Sequence, residues 1–296
     1  MTRILPGLLV ATTLALTLLP TGPASAATLT TATGYRLEYA VRGQDAPGPL
    51  ALIMLHGKNA PAADGPPVNL VRWAERVARA GFRVYVPAMP WSSRWDGTHE
   101  DASAAIDALI ELAARDGKKV VLGGHSMGGM FTIIYRAASL PESVVGKFMS
   151  APGHALDQYG RNAAFWSEIG PALRQARDLE AAGKGNDKAR FEGRNLAGRR
   201  NIAETYETTP RIYLSFHDPE RLPPSLPALR VTAVPVLWLV GSDDPLVNGS
   251  ASRRVFERVP SHPKSSFDTL DGRDHATSLP ATIDKLVPWL KSLATP

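Results

Sequence analysis

The stretch Val120-Val121-Leu122-Gly123-Gly124-His125-Ser126-Met127-Gly128-Gly129 organises the rest of the chain. Its first three residues are apolar, as in a strand buried on both faces of a sheet. The apolar positions from Phe131 to Ala138 follow as a helix. Between them, Gly124 to Gly128 spells G-x-S-x-G, a serine on a sharp strand-to-helix turn with glycines that permit close backbone approach. Such a turn projects the hydroxyl above the sheet edge. A glycine turn with a merely capping serine is the competing reading, and the partners found downstream tell against it.

Upstream of this stretch, Leu50-Ala51-Leu52-Ile53-Met54-Leu55 is apolar at every position and predicts another doubly buried strand, ending at His56-Gly57-Lys58. Leu70, Trp73, Ala74 and Val77 recur at helical spacing and stop at Gly81. Phe82–Val86 is the next strand, and Ile106, Leu109, Ile110 and Ala113 mark the next helix. Thr28–Thr33 and Tyr35–Arg42, flanking Gly34, form an opening hairpin. Strand–helix–strand alternation requires right-handed crossovers and a parallel sheet.

Downstream, Val144–Ser150 continues the rhythm, which then breaks. From Pro152 to Val231 there is no clean strand, charge is mixed, and helical stretches such as Phe165–Ala182 end at Gly183 and Gly185. The segment 152–231 is therefore expected to be an inserted helical cap. Alternation resumes with the strand Val236–Val240, a helix near Ser250–Val259, a strand at Ser266–Leu270, and a last helix carrying Ile283, Leu286, Val287 and Leu290.

A serine hydroxyl is a poor nucleophile near neutrality, so a base must take its proton and a carboxylate must orient that base. Two turns downstream offer them in the order acid, then histidine. Gly241-Ser242-Asp243-Asp244-Pro245 follows the strand Val236–Val240, and Asp271-Gly272-Arg273-Asp274-His275 follows the strand Ser266–Leu270. Both turns fall at the same edge of a parallel sheet as Ser126. Asp243 and Asp244 are both candidates for the acid. His262 competes with His275, but it precedes its strand and so belongs to the opposite edge. Asp271 and Asp274 are also close to His275 in sequence.

With these elements in place, the chain from residue 27 onward resembles the α/β-hydrolase superfamily, in its serine esterase and lipase branch. The insertion is the one stretch outside the resemblance. It implies an α/β fold with a mostly parallel central sheet, helices on both faces and an inserted cap. It further implies Ser126 as nucleophile, His275 as general base and then acid, and an orienting carboxylate directly before the proline of G-x-x-D-P, which favours Asp244 over Asp243. The backbone amides of Met127 and of Lys58, in a sequence similar to the family's H-G-x, are then the oxyanion donors. His56 and His125 are expected to be structural neighbours of these turns. The expected reaction is hydrolysis of a carboxylic ester through an acyl-enzyme. Amidase, peptidase and acyltransferase chemistry share the same residues, and a non-catalytic binding protein on this scaffold is the reading from another class.

The remaining features set boundaries. Met1–Ala26 has Arg3, the apolar run Leu8–Leu19 and the small-residue ending Ala24-Ser25-Ala26, the pattern of a cleaved export signal. The unit 27–296 is then the expected hydrolase domain, exported to a periplasm or the medium, with no integral membrane segment after cleavage. The 296 residues contain no cysteine, which excludes thiol nucleophiles and thiolate metal sites. A hydrophobic fraction of 44% argues against disorder, and a net charge of +5 without any block of like charge offers no nucleic-acid stripe. The histidines His99, His154 and His217 show no metal-ligand spacing, so no metal or cofactor is expected. Trp91 and Trp95 follow a strand and are expected to wall an apolar pocket for a small or lipid-like ester, unless they pack under the cap.

Overall fold

The computed structural model describes residues 26–63, 65–153, 163–195, 202–247 and 249–295. The expected export signal, apart from Ala26, lies outside the described residues. In chain order the elements are β1 (Ala27–Thr30), β2 (Arg36–Arg42), β3 (Leu50–Leu55), α1 (Val68–Arg79), β4 (Arg83–Pro87), α2 (His99–Arg115), β5 (Lys119–His125), α3 (Met127–Ile134) and β6 (Val144–Ser150). The inserted segment contributes α4 (Ala163–Ala181), β7 (Ala189–Asn195), β8 (Ile202–Thr208), α5 (Pro210–His217) and α6 (Ser225–Arg230). The chain then returns through β9 (Val236–Gly241), α7 (Gly249–Phe256), β10 (Ser266–Leu270), α8 (His275–Ala281) and α9 (Ile283–Ala294).

Eight strands form one sheet in the order β1-β2-β4-β3-β5-β6-β9-β10. Pairing is antiparallel for β1–β2 and β2–β4 and parallel for the rest. Side-chain alternation along β3 shows why that strand is apolar throughout. Leu50, Leu52 and Met54 join the core face covered by α1 and α9, whereas Ala51, Ile53 and Leu55 join the face covered by α2 and α3. On the first face Trp73 of α1 lies parallel to Phe148 of β6 at 6.3 Å and donates its indole N–H to the Leu279 carbonyl at 3.1 Å.

Helix α3 ends at Ile134, four residues before its apolar pattern does. Tyr135 turns extended and Arg136 takes φ 38°. Beyond the helix end both side chains bind Asp107 of α2, Tyr135 Oη at 2.5 Å and Arg136 Nη2 at 2.8 Å.

The inserted segment is helical in α4, α5 and α6, but the expectation of no clean strand between Pro152 and Val231 is overturned by the antiparallel hairpin β7–β8. Among the described residues of these polar strands, Phe191 and Tyr206 are the large buried side chains, and both join the core cluster continuous with α2 and α3. Among the described residues no helix is long and apolar enough to cross a membrane.

Candidate active site

Register brings the candidate residues to one edge. Leu55 pairs with Gly124 and His125 with Ser150, so the turn after β3 lies beside the turn after β5. Leu270 pairs with Gly241, which sets the acid-bearing turn against the histidine-bearing one.

Ser126 is held at φ 53° and ψ −120°, a conformation that stores roughly 1–3 kcal/mol in a residue bearing a Cβ. Three main-chain bonds hold it there. Its amide donates to the Ser150 carbonyl at 3.0 Å, and its carbonyl accepts from Met130 at 3.1 Å and Gly153 at 2.8 Å. Glycine at 124 is a steric requirement, because a Cβ there would fall 2.1 Å from the Gly128 carbonyl carbon. Met127 is the first residue of α3, so its amide is among those a helix start leaves without an intrahelical acceptor.

His275 Nδ1 is 2.8 Å from Asp244 Oδ2. The other carboxylate oxygen accepts the amides of Leu246 at 2.8 Å and Val247 at 3.0 Å, and the Asp244 side chain is 0% exposed. Burial pushes this carboxyl up, but the bond to His275, the imidazole charge and the two amides outweigh it and hold it below the usual carboxylate range. The acid that reaches the histidine is thus Asp244. Asp243 is exposed and accepts from Ser242 Oγ at 2.8 Å, Asp274 caps α8 through Thr277, and His262 binds the Lys264 amide before β10 at the opposite edge.

The rings of His125 and His275 are 4.9 Å apart. Desolvation and the neighbouring His275 push His125 down to about 3, so it stays neutral beside the site. His56 is buried beneath the turn after β3. Its Nε2 accepts the Met89 amide at 2.8 Å, so Nδ1 carries the proton given to the Gly57 carbonyl at 2.7 Å. Burial lowers its pKa to about 4, which makes it a neutral brace. On that braced turn Gly57 abuts the serine, since a Cβ at 57 would lie 3.2 Å from Ser126 Cβ. Lys58 follows it.

Both tryptophans, expected to wall a pocket unless they pack under the cap, are buried. Trp91 is 0% exposed, stacks on Phe131 at 4.2 Å and donates to the His56 carbonyl at 2.9 Å. Trp95 is 5% exposed and packs edge-on against Tyr206 and Phe216 under the cap. Aromatic bulk on a loop after a strand suggests a pocket, but cap residues distant in sequence cover these rings.

The side chains of Asn59, Glu204 and Tyr206, which the sequence patterns do not single out, gather at the same turn: Lys58 Nζ is 2.5 Å from Glu204 Oε2 and 3.2 Å from Tyr206 Oη. Among the described residues no group of three or more His, Asp or Glu side chains could hold a metal ion.

The Alpha/beta hydrolase family matches residues 52–285. Among solved structures, the chain is similar to a monoacylglycerol lipase from Paleococcus ferrophilus, with 21% identity over 87% of this chain and 99% of that one and a TM-score of 0.60. It is also similar to a thermophilic esterase from Thermogutta terrifontis, with 18% identity over 92% and 100% of the two chains and a TM-score of 0.59. An esterase from a Rhodococcus species gives 20% identity over 91% and 99%, with a TM-score of 0.58. A search of curated proteins returns no match.

Proposed function

The chain belongs to the α/β hydrolase family, and from that premise we propose that it is an exported serine hydrolase that cleaves a small-molecule or lipid-like carboxylic ester. The observation that carries the proposal is the 2.8 Å contact between His275 Nδ1 and the buried Asp244 carboxylate, at the sheet edge where Ser126 sits on its strained turn. The esterase and lipase neighbours support ester hydrolysis in general.

Ser126 Oγ attacks the ester carbonyl carbon as its proton passes to His275 Nε2, and Asp244 keeps the other ring proton on Nδ1. The carbonyl oxygen becomes an oxyanion that receives the amides of Met127 and Lys58. Collapse breaks the bond to the alcohol, which leaves with the proton from Nε2, and Ser126 remains acylated. Water then gives a proton to Nε2 as its oxygen bonds to the acyl carbon; collapse breaks the Ser126 Oγ–acyl bond, the acid leaves, and Nε2 returns the proton to Oγ.

The test is turnover of a chain-length series of p-nitrophenyl esters by the chain from Ala27, with fluorophosphonate labelling of the same sample. Turnover and labelling, both lost in Ser126→Ala, are the expected result. No turnover at any chain length together with an unlabelled Ser126 would overturn the proposal in favour of a binding scaffold.

A further inference from the structure

The Lys58 amide proposed for the oxyanion belongs to a residue whose side chain is committed elsewhere. Glu204, on β8 of the cap hairpin, accepts three donors. Lys58 Nζ approaches its Oε2 at 2.5 Å, Tyr206 Oη donates to the same oxygen at 2.6 Å, and Asn59 Nδ2 donates to Oε1 at 3.2 Å. One cap carboxylate thus grips two consecutive residues of the turn after β3, immediately after the glycine that abuts Ser126.

Asn59 sits at φ 55°, in the left-handed region that asparagine enters more readily than other residues with a side chain. Its own bonds are spent on the same framework, with its amide donating to the Trp91 carbonyl at 3.0 Å and its Oδ1 accepting from Trp95 Nε1 at 2.6 Å. Thr208, at the end of β8, donates to the Trp95 carbonyl at 2.7 Å and so ties the hairpin to that loop a second time. The ion pair is mostly shielded, with Lys58 25% and Glu204 12% exposed, and aromatic rings of Trp95, Tyr206, Tyr213 and His217 pack together around it. A charge-assisted pair in such a setting is directional and weakly screened.

We propose that Glu204 is a positioning residue for catalysis: by holding Lys58 and Asn59 it aims the Lys58 amide at the developing oxyanion, so that the cap completes the site. The proposal rests on the functional reading above. An oxyanion donor acts on the transition state, so loss of its aim lowers kcat and leaves KM almost unchanged.

The experiment measures kcat, KM and the thermal midpoint of Glu204→Ala, Glu204→Gln, Lys58→Met and the double variant Glu204→Ala/Lys58→Met on the best p-nitrophenyl ester. Removing an oxyanion donor outright loses about 100- to 1,000-fold in kcat, so misaiming one is expected to lose about 10- to 100-fold in Glu204→Ala. KM should stay within about twofold. Lys58→Met retains the main-chain amide but not the ammonium, so it should lose a similar factor. The double variant should be no worse than the worse single, because both remove one clasp. Glu204→Gln keeps an acceptor for Lys58 but cannot also serve Asn59, so it should fall between Glu204→Ala and the parent, and it carries the test if Glu204→Ala does not fold.

A Glu204→Ala kcat within about twofold of the parent (or, where that variant does not fold, a Glu204→Gln kcat within about twofold), a loss confined to KM, or multiplicative losses in the double variant would overturn the proposal. An inactive parent with an unlabelled Ser126 would instead overturn the functional reading, and this proposal with it.

Discussion

Replacement of Asp244 by asparagine has a consequence that follows from which oxygen does what. Oδ1 accepts two main-chain amides, from Leu246 and Val247, whereas Oδ2 faces His275 Nδ1. An asparagine amide group placed at the first position would confront two donors, so the carboxamide oxygen must occupy it. The Nδ2 group then points at His275 and donates to Nδ1. A ring nitrogen that accepts carries no proton, so the neutral imidazole holds its single proton on Nε2, where the Ser126 proton has to go. Fixing a histidine base in that tautomer lowers kcat by about 10³ to 10⁴, or about 4–5.5 kcal/mol of barrier. Folding stability should fall much less, by about 1–2 kcal/mol for the lost charge-assisted bond, since the two amide contacts survive. Asp243→Asn, at an exposed carboxylate held by Ser242 Oγ, should leave kcat within about twofold of the parent. Steady-state turnover of a p-nitrophenyl ester between about pH 7 and 8, with urea unfolding of each variant, measures both quantities. Retention of more than about a tenth of the activity by Asp244→Asn, or a larger loss in Asp243→Asn, would refute the tautomer argument.

Three further outcomes are expected. In Gly57→Ala the new methyl would lie 3.2 Å from Ser126 Cβ and 3.6 Å from the His125 ring, so kcat should fall by about tenfold while the urea midpoint moves little; the reverse pattern would mean that the turn yields and the serine does not. His56 and His217 are held near 4 by burial, so between that value and the ordinary 6.5 the unfolded chain binds protons that the folded chain refuses. Stability should therefore fall as pH drops from 6.5 toward 4, by up to about 1.4 kcal/mol per pH unit for each ring, and urea midpoints that stay flat from about pH 7 to 5 would contradict it. Trp91→Ala should lose about 3–5 kcal/mol of stability by opening a cavity between Phe131, Phe216 and His56; a changed acyl-chain preference at undiminished stability would place the ring in the substrate pocket after all.

The sheet was legible because each strand that builds it announces itself locally. A strand buried on both faces must be apolar at every position, and β3 and β9 are; a helix on one face must repeat at 3.6, and Leu70, Trp73, Ala74 and Val77 do. Once strands alternate with helices, the strands run parallel and every strand-to-helix turn falls at one edge, so Ser126, Asp244 and His275 are assigned to that edge without any distance being known. The choice between Asp243 and Asp244 was beyond local spacing and rested on a resemblance. In the fold it is decided by Leu246 and Val247, whose amides turn one carboxylate inward and leave its neighbour on the surface.

The cap was illegible for a related reason. Among the described residues its hairpin buries Phe191 and Tyr206 as large side chains; Ala189, Phe191 and Gly193 do alternate with Arg190, Glu192 and Arg194, but two of those three inward positions are too small to give the run the look of a core strand, and β8 carries Glu204 and Glu207 beside Tyr206. Such strands are held by what they meet. Tyr206 packs against Trp95, and Glu204 meets Lys58 across a separation of 146 residues. The same contacts hid the burial of Trp91 and Trp95, whose sequence neighbourhood places them at the sheet edge that carries Ser126 but says nothing of the segment that covers them. A polar cap hairpin would be a poor lid if apolar burial alone were its purpose. Its charged residues make physical sense where they reach down to the turn after β3, because a carboxylate fixes a lysine and an asparagine at set distances, which apolar packing cannot do.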